Sequence, residues 1–193
     1  MGRDENLNIV QNSPTWGAVV ISSGFARILN CDIKSVSFSP LSIQGEKINL
    51  GDGATVEVEN CHFHGSQKPC VLVQHNSTIY ICNTKIEGSQ TYGIWIQLAS
   101  KCFIDKGCVI TGNGGAGINI QNKCSLRIDG GPKKEVEISF NKDSGIEAVE
   151  QSNAYIENVV LKGNMSTSAI YSTQNSSVTI KNSQILSNQC GGL

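Results

Sequence analysis

A short phrase, a small residue followed by an apolar one, recurs along this chain at nearly constant spacing. From Ile48 onward its apolar member returns every 23 to 28 residues, and 30 residues separate Ile48 from Ala18. Periods of this length are typical of repeat proteins, in which each repeat packs mainly on its neighbours. The copies are Gly17-Ala18, Lys47-Ile48 (which lacks the small residue), Cys70-Val71, Gly93-Ile94, Gly117-Ile118, Gly145-Ile146, Ala169-Ile170 and Gly192-Leu193.

Two further apolar positions accompany each copy. Ten residues after the phrase stands an apolar anchor with an apolar or small partner two residues before it, which is the strand period, and a third apolar site follows. Helical spacing is missing throughout, so each period predicts three short strands. The chain should be all-β, a right-handed parallel β-helix of about seven coils of 23–30 residues. The anchors are Ile28, Val58, Ile81, Ile104, Ile128, Ile156 and Ile180, and the third sites are Ile33, Phe63, Ile86, Ile110, Ile138, Leu161 and Ile185.

Polar residues recur at two positions of the same period. In stacked coils each set would form a column at steps of about 4.8 Å, and Asn tolerates left-handed turns while its amide bonds the adjacent coils. We interpret both sets as structural corners and not as functional sites. They are Asn30, Asn60, Asn83, Asn158 and Asn182, and Ser66, Ser89, Asn113, Asn141, Asn164 and Asn188.

The repeat occupies the chain as one domain, 1–193, with an irregular start over 1–15. The longer intervals predict loop bulges near 35–46 and 129–134, and such insertions often carry function in solenoids. Because the chain ends in the middle of a coil, we expect a segment of a longer protein. The open coil ends also leave self-association as a structural alternative.

Composition narrows the classes of partner that the chain could bind. The net charge is −1 with 16% charged residues and no Lys/Arg run, which argues against nucleic acid. No apolar run predicts a signal peptide or a membrane span. The eight cysteines include no C-x-x-C pair, and Cys70 and Cys102 stand where the repeat needs small or apolar residues. We therefore prefer thiols in an intracellular protein, with a secreted, disulfide-bonded protein as the alternative.

Outward positions hold the candidate sites. One column, Arg27, Glu57, Tyr80, Phe103, Arg127, Tyr155 and Thr179, mixes aromatic and arginine side chains, which suits sugar stacking or a protein-binding hot spot. Its neighbour brings Asp105 and Asp129 one coil apart. This pair could bind Ca²⁺ or affect acid/base chemistry, or it could simply pair with basic neighbours such as Arg127.

A further column places Trp95 on the surface beside Leu72, with Tyr171 in the same column, as a partner site or as a surface covered by another segment. His62 and His64 flank inward Phe63 and face outward together. We expect surface histidines and not a zinc site, because no nearby Cys/His spacing supplies more ligands.

The run Thr111-Gly112-Asn113 through Gly117-Ile118-Asn119-Ile120-Gln121-Asn122 resembles the repeats of pectin-lyase-like parallel β-helix proteins. Coils such as Glu59-Asn60-Cys61-His62-Phe63 are similar to the intracellular branch found in F-box ubiquitin-ligase receptors and the SHC-binding spindle and midbody protein. That branch implies a protein-binding module without catalysis. The enzymatic branch implies polysaccharide cleavage with calcium-binding aspartates and a catalytic Arg or Lys, for which only Asp105, Asp129 and Arg127 share one face.

Three functions stay open at this point. The first is a noncatalytic scaffold that binds a protein partner and needs no cofactor. The second is a carbohydrate-binding or polysaccharide-cleaving β-helix, with Ca²⁺ as the only cofactor considered, and the third is a structural assembly unit. No catalytic residue can be assigned, and neither nucleic acid nor membrane is expected as a partner.

Overall fold

The structure, a computed structural model, describes residues 7–13, 15–45, 53–131, 135–165 and 168–189. Within these ranges the secondary structure consists of 22 strands, and no helix there is long and apolar enough to cross a membrane. The strands are β1 (Leu7–Gln11), β2 (Val19–Ile21), β3 (Phe25–Leu29), β4 (Cys31–Ser35), β5 (Leu41–Ile43), β6 (Thr55–Glu59), β7 (His62–His64), β8 (Val71–Val73), β9 (Thr78–Cys82), β10 (Lys85–Glu87), β11 (Ile94–Ile96), β12 (Lys101–Asp105), β13 (Val109–Thr111), β14 (Ile118–Ile120), β15 (Ser125–Asp129), β16 (Val136–Ser139), β17 (Ile146–Ala148), β18 (Asn153–Glu157), β19 (Val159–Lys162), β20 (Ile170–Ser172), β21 (Ser177–Lys181) and β22 (Gln184–Leu186).

Strands that are three apart along the chain pair in parallel, which produces three sheets. Sheet A runs from β1 through β4 and β7 to β22, sheet B from β2 through β5 to β20, and sheet C from β3 through β6 to β21. One coil contributes a strand to sheet B, then to sheet C, then to sheet A. The described strands make seven such coils after β1, which confirms the predicted all-β parallel β-helix with three strands per coil.

The core is the column of inward side chains along the axis. Because successive strand residues point to opposite faces, the anchors Ile81, Ile104 and Ile128 are in register and almost fully buried, and so are the third sites Phe63 and Ile110. Full burial of each such side chain stabilises the fold by roughly 1.5–3 kcal/mol. These two predicted columns are confirmed.

The first two copies of the phrase were placed wrongly. Strand pairing aligns Val19 and Leu41, and not Ala18 and Ile48, with Val71 and the later copies. Ala18 lies just before β2, and Ile48 lies outside the described residues.

The distance between the phrase and the anchor is not constant along the chain. The corner before β3 has only three residues and turns at Gly24 (φ 76°), whereas the corner before β9 has four and turns at His75 and Asn76. The extra residues of the second coil lie between β5 and β6, not over 35–46. A bulge there would interrupt β5, which instead pairs on both sides in sheet B.

The other predictions about the repeat concern the start of the chain, the segment before β16 and the last copy of the phrase. The start expected to be irregular contains β1, which pairs with β4 and places Ile9 beside Ile33. At the second predicted bulge, β15 ends at Asp129 and β16 begins at Val136, and residues 132–134 lie outside the described ranges. The last copy, Gly192-Leu193, also lies outside them.

Both polar columns form corners, as predicted. Asn30, Asn60 and Asn83 have φ of 54°, 56° and 46°, and each later Asn donates its amide to the one before it. In the second column Asn113 and Asn141 are fully buried and donate backbone and side-chain N–H groups to the amide oxygen of the next coil. Corner amides therefore satisfy backbone groups that the strands leave unpaired.

None of the seven cysteines in the described ranges forms a disulfide. Cys70, Cys102, Cys108 and Cys124 lie buried in the core cluster. Burial raises the pKa of the Cys70 and Cys108 thiols to about 12 in each case. These thiols behave as small apolar side chains in the core.

Candidate functional site

The outer face of sheet C carries the column that mixes aromatic and charged side chains. Strand pairing sets Tyr80, Phe103, Arg127 and Tyr155 side by side on β9, β12, β15 and β18. Their positions alternate with the inward anchors, so all four project from the coil. We call the set Arg27, Glu57, Tyr80, Phe103, Arg127 and Tyr155 the sheet C column.

Neighbours within the sheet C column cover one another's rings. Tyr80 and Phe103 stack with ring centroids 4.8 Å apart and planes 11° apart. The Arg127 guanidinium carbon lies 5.1 Å from the Tyr155 ring centroid, and Lys181 Nζ lies 5.3 Å from it on the strand at the other side. The rings therefore stack along the axis and direct their edges outward.

A cleft of about 410 Å³ opens over this column. Tyr80 and Phe103 form its aromatic centre, and Arg27 at one end pairs with Glu57 through a contact of 2.9 Å between Nε and Oε2. Arg127 lines the other end. The cleft thus combines an apolar centre with an Arg27–Glu57 ion pair at one end and a positive group, Arg127, at the other.

Asp105 and Asp129 line the same cleft and stand opposite each other on β12 and β15. Asp105 Oδ1 accepts the backbone N–H of Lys106 at 2.7 Å. Asp129 Oδ1 accepts the Gly131 N–H and the Asn158 amide, each at 3.1 Å. Both carboxylates therefore support turns, and among the described residues no third ligating side chain groups with them.

The three residues predicted on sheet B do not form one patch. Leu72 and Trp95 are adjacent and half-buried, and the Trp95 ring tilts against Tyr92 at a centroid distance of 5.7 Å. Tyr171 lies three strands from Trp95, beyond Asn119 and Glu147. The indole is thus partly covered by its own coil, and Tyr171 stands apart.

Sheet A carries a cluster that local spacing did not reveal. Asp32, His62, His64 and Glu87 come from three successive strands, β4, β7 and β10. The two imidazoles stack with centroids 4.3 Å apart; Asp32 contacts both, and Glu87 contacts His62. The signal available in the sequence was the 30-residue interval between the second coil and the first, which places Asp32 beside His62.

Comparison with known proteins agrees with this architecture. No curated protein and no solved structure matches the chain. A family profile described as a right-handed β-helix region matches residues 6–130 and, in an overlapping second match, residues 46–193. The chain therefore belongs to the right-handed β-helix family.

Proposed function

We propose that this chain is a noncatalytic scaffold that binds a protein partner through the sheet C column. The observation that carries the proposal is the direction of the aromatic rings and the groups that contact them. Tyr80 and Phe103 face each other, and Tyr155 lies between Arg127 and Lys181, so ring edges, one phenol group and charged groups point outward. Aromatic and arginine side chains clustered in this manner are typical of protein-binding hot spots.

The same arrangement argues against a saccharide as the ligand. A sugar that stacks on an aromatic side chain needs an open ring face. Tyr80 and Phe103 each turn one face to the other at a centroid distance of 4.8 Å, and Arg127 and Lys181 lie 5.1 and 5.3 Å from the Tyr155 ring centroid, so fewer ring faces stay open. A protein surface, in contrast, can pack against ring edges while its own charges meet Arg127 and Glu57 at the rim.

The proposal includes an intracellular location. Its support is that none of the seven cysteines in the described ranges forms a disulfide, which suits a reducing compartment. Intact mass with and without reductant tests this part separately, since disulfides in the purified native protein would contradict it.

The test compares two variants that remove exposed aromatic side chains from different sheets. Tyr80 and Tyr171 are each 44% exposed, so Tyr171→Ala is a matched control for Tyr80→Ala combined with Phe103→Ala. Partners captured by the wild-type chain are identified by mass spectrometry, purified and titrated against all three proteins by calorimetry.

We expect the double variant to weaken binding of a purified partner by more than about thirtyfold, the equivalent of roughly 2 kcal/mol for a hot spot. Tyr171→Ala should leave the affinity within about twofold. Equal affinities for wild type and the double variant would contradict the proposal. So would binding of an acidic oligosaccharide that the double variant abolishes.

A further inference from the structure

The cluster on sheet A joins three coils through side chains that titrate or bind metals. Asp32 lies opposite His62 across β4 and β7, and Glu87 lies opposite His64 across β7 and β10. Its contacts run diagonally, from Asp32 to His64 and from Glu87 to His62. All four side chains are outward and half-buried, so they are accessible from solvent.

We propose that Asp32, His62 and His64 bind a divalent transition metal ion of the Zn²⁺ class. One ligand atom from each residue can be chosen so that all three lie within 4.8 Å of one another. Two imidazole nitrogens and one carboxylate oxygen form a donor set that suits zinc and leaves a fourth position open. Ca²⁺ and Mg²⁺ prefer all-oxygen ligands and fit this set poorly.

The separations already approach those of a bound ion. Two ligands about 2.0–2.1 Å from a tetrahedral zinc lie about 3.3–3.4 Å apart. His62 Nδ1 is 3.4 Å from Asp32 Oδ2, and His64 Nε2 is 2.8 Å from Asp32 Oδ1. Widening the second contact by about half an ångström would give both His–Asp contacts this spacing, although each histidine meets a different oxygen of Asp32.

Glu87 orients the ring of His62. Its Oε1 lies 2.9 Å from His62 Nε2, so Nε2–H donates to Glu87 and Nδ1 is turned toward Asp32. A neutral His62 would then direct a lone pair at a carboxylate, and a cation between them removes that repulsion. A carboxylate that holds the outer nitrogen of a ligating histidine is the usual second partner in zinc sites.

Asp32 is suited to act as the anionic ligand. Both oxygens of its partly exposed carboxylate face imidazole nitrogens, Oδ1 toward His64 and Oδ2 toward His62. Two lysines, Lys85 and Lys34, flank the cluster. Lys85 Nζ pairs with Glu87 Oε1 at 2.8 Å, and the Lys34 side chain lies over Gly65.

The neighbouring thiols face away from this cluster. Cys31 and Ile33 alternate with Asp32 on β4, and Cys61, which is 5% exposed, directly precedes His62. Strand alternation therefore puts both thiols on the inner side and the ligating groups on the outer side. A bound ion would link the first coil to the second and keep a position for water or another ligand.

The test is a Zn²⁺ titration of untagged, EDTA-treated protein by calorimetry, with Co²⁺ absorption as a second readout. We expect one ion per chain with a Kd below about 10 μM. Asp32→Asn, His62→Gln and His64→Gln should each raise Kd at least tenfold, and Glu87→Gln about tenfold. Ca²⁺ and Mg²⁺ should not compete.

Two control variants distinguish this site from incidental binding. His75→Asn removes the third histidine and keeps a residue that tolerates its φ of 57°, and Cys31→Ser removes the thiol that directly precedes Asp32 in the sequence. Both should keep Kd within about twofold of wild type. Unfolding midpoints in EDTA check that every variant is folded. A Kd above about 1 mM, or a loss of affinity in the controls equal to that in His64→Gln, would overturn the proposal.

Discussion

The column of buried corner amides gives the sharpest prediction about stability. Asn141 is fully buried, and its Oδ1 accepts two bonds from Asn113, from the backbone N–H at 3.1 Å and from Nδ2 at 2.9 Å. Asn141→Ala leaves both donors buried without this acceptor, whereas the backbone N–H of residue 141 keeps its bond to Asn164 Oδ1. Each orphaned donor costs about 1–3 kcal/mol, so we expect a loss of about 4 kcal/mol in the free energy of unfolding.

The assay is urea unfolding followed by circular dichroism, with Asn153→Ala as the matched control. Asn153 is exposed on β18, and its side-chain oxygen accepts a bond from Ser177 Oγ at 2.6 Å in an exposed setting. Its replacement should cost less than about 0.5 kcal/mol. If Asn141→Ala lies within about 1 kcal/mol of Asn153→Ala, the amide column does not stabilise the coil as we argue.

Two further predictions concern titratable groups. In native protein at pH 8, iodoacetamide should alkylate the half-buried Cys31 and spare Cys108, because burial raises the Cys108 pKa to about 12. Peptide mass mapping measures the labelling of each cysteine, and equal labelling of the two would contradict the prediction. Burial, reinforced by Asp143, raises the pKa of Glu147 above its ordinary 4.5 although Asn119 donates a hydrogen bond to it. The free energy of unfolding therefore falls as pH rises from the pKa of Glu147 in the unfolded chain toward its higher pKa in the folded protein. Glu147→Gln should stabilise the protein at pH 7 and not at pH 4. An equal change at both pH values would refute this reading.

The fold was predictable because it depends on residues that repeat. Each inward side chain, such as Ile104 or Ile110, packs against the equivalent side chains of the adjacent coils, so the same apolar position recurs in every period. The pattern of one period therefore supports the pattern of the others. The errors came where a corner changed length. The turn at Gly24 is one residue shorter than the turn between β8 and β9, and the connection between β5 and β6 is seven residues longer than that turn. A fixed offset from the anchor therefore failed to identify Val19 and Leu41 as the equivalent positions.

The site was predictable only in part, for the same physical reason. Outward columns such as Tyr80 and Phe103 follow from the register, but the direction of a ring does not, and the ring direction is what separates a protein surface from a sugar platform. The Asp32–His62–His64 cluster was missed because its residues lie on two successive coils, far apart in the sequence. A search for ligands close in sequence cannot find residues 30 apart that the coil makes neighbours.

The central claim, that the sheet C column is a protein-binding surface, is tested most directly by photo-crosslinking at Phe103. Benzoylphenylalanine placed there reports contact within a few ångströms, and the same residue at Phe140, which is 52% exposed on another part of the coil, is the control. In cells that express the protein, we predict discrete protein adducts at position 103 that Tyr80→Ala suppresses, and none of these adducts at position 140. Absence of protein adducts at 103, or the same adducts at both positions, would contradict the account.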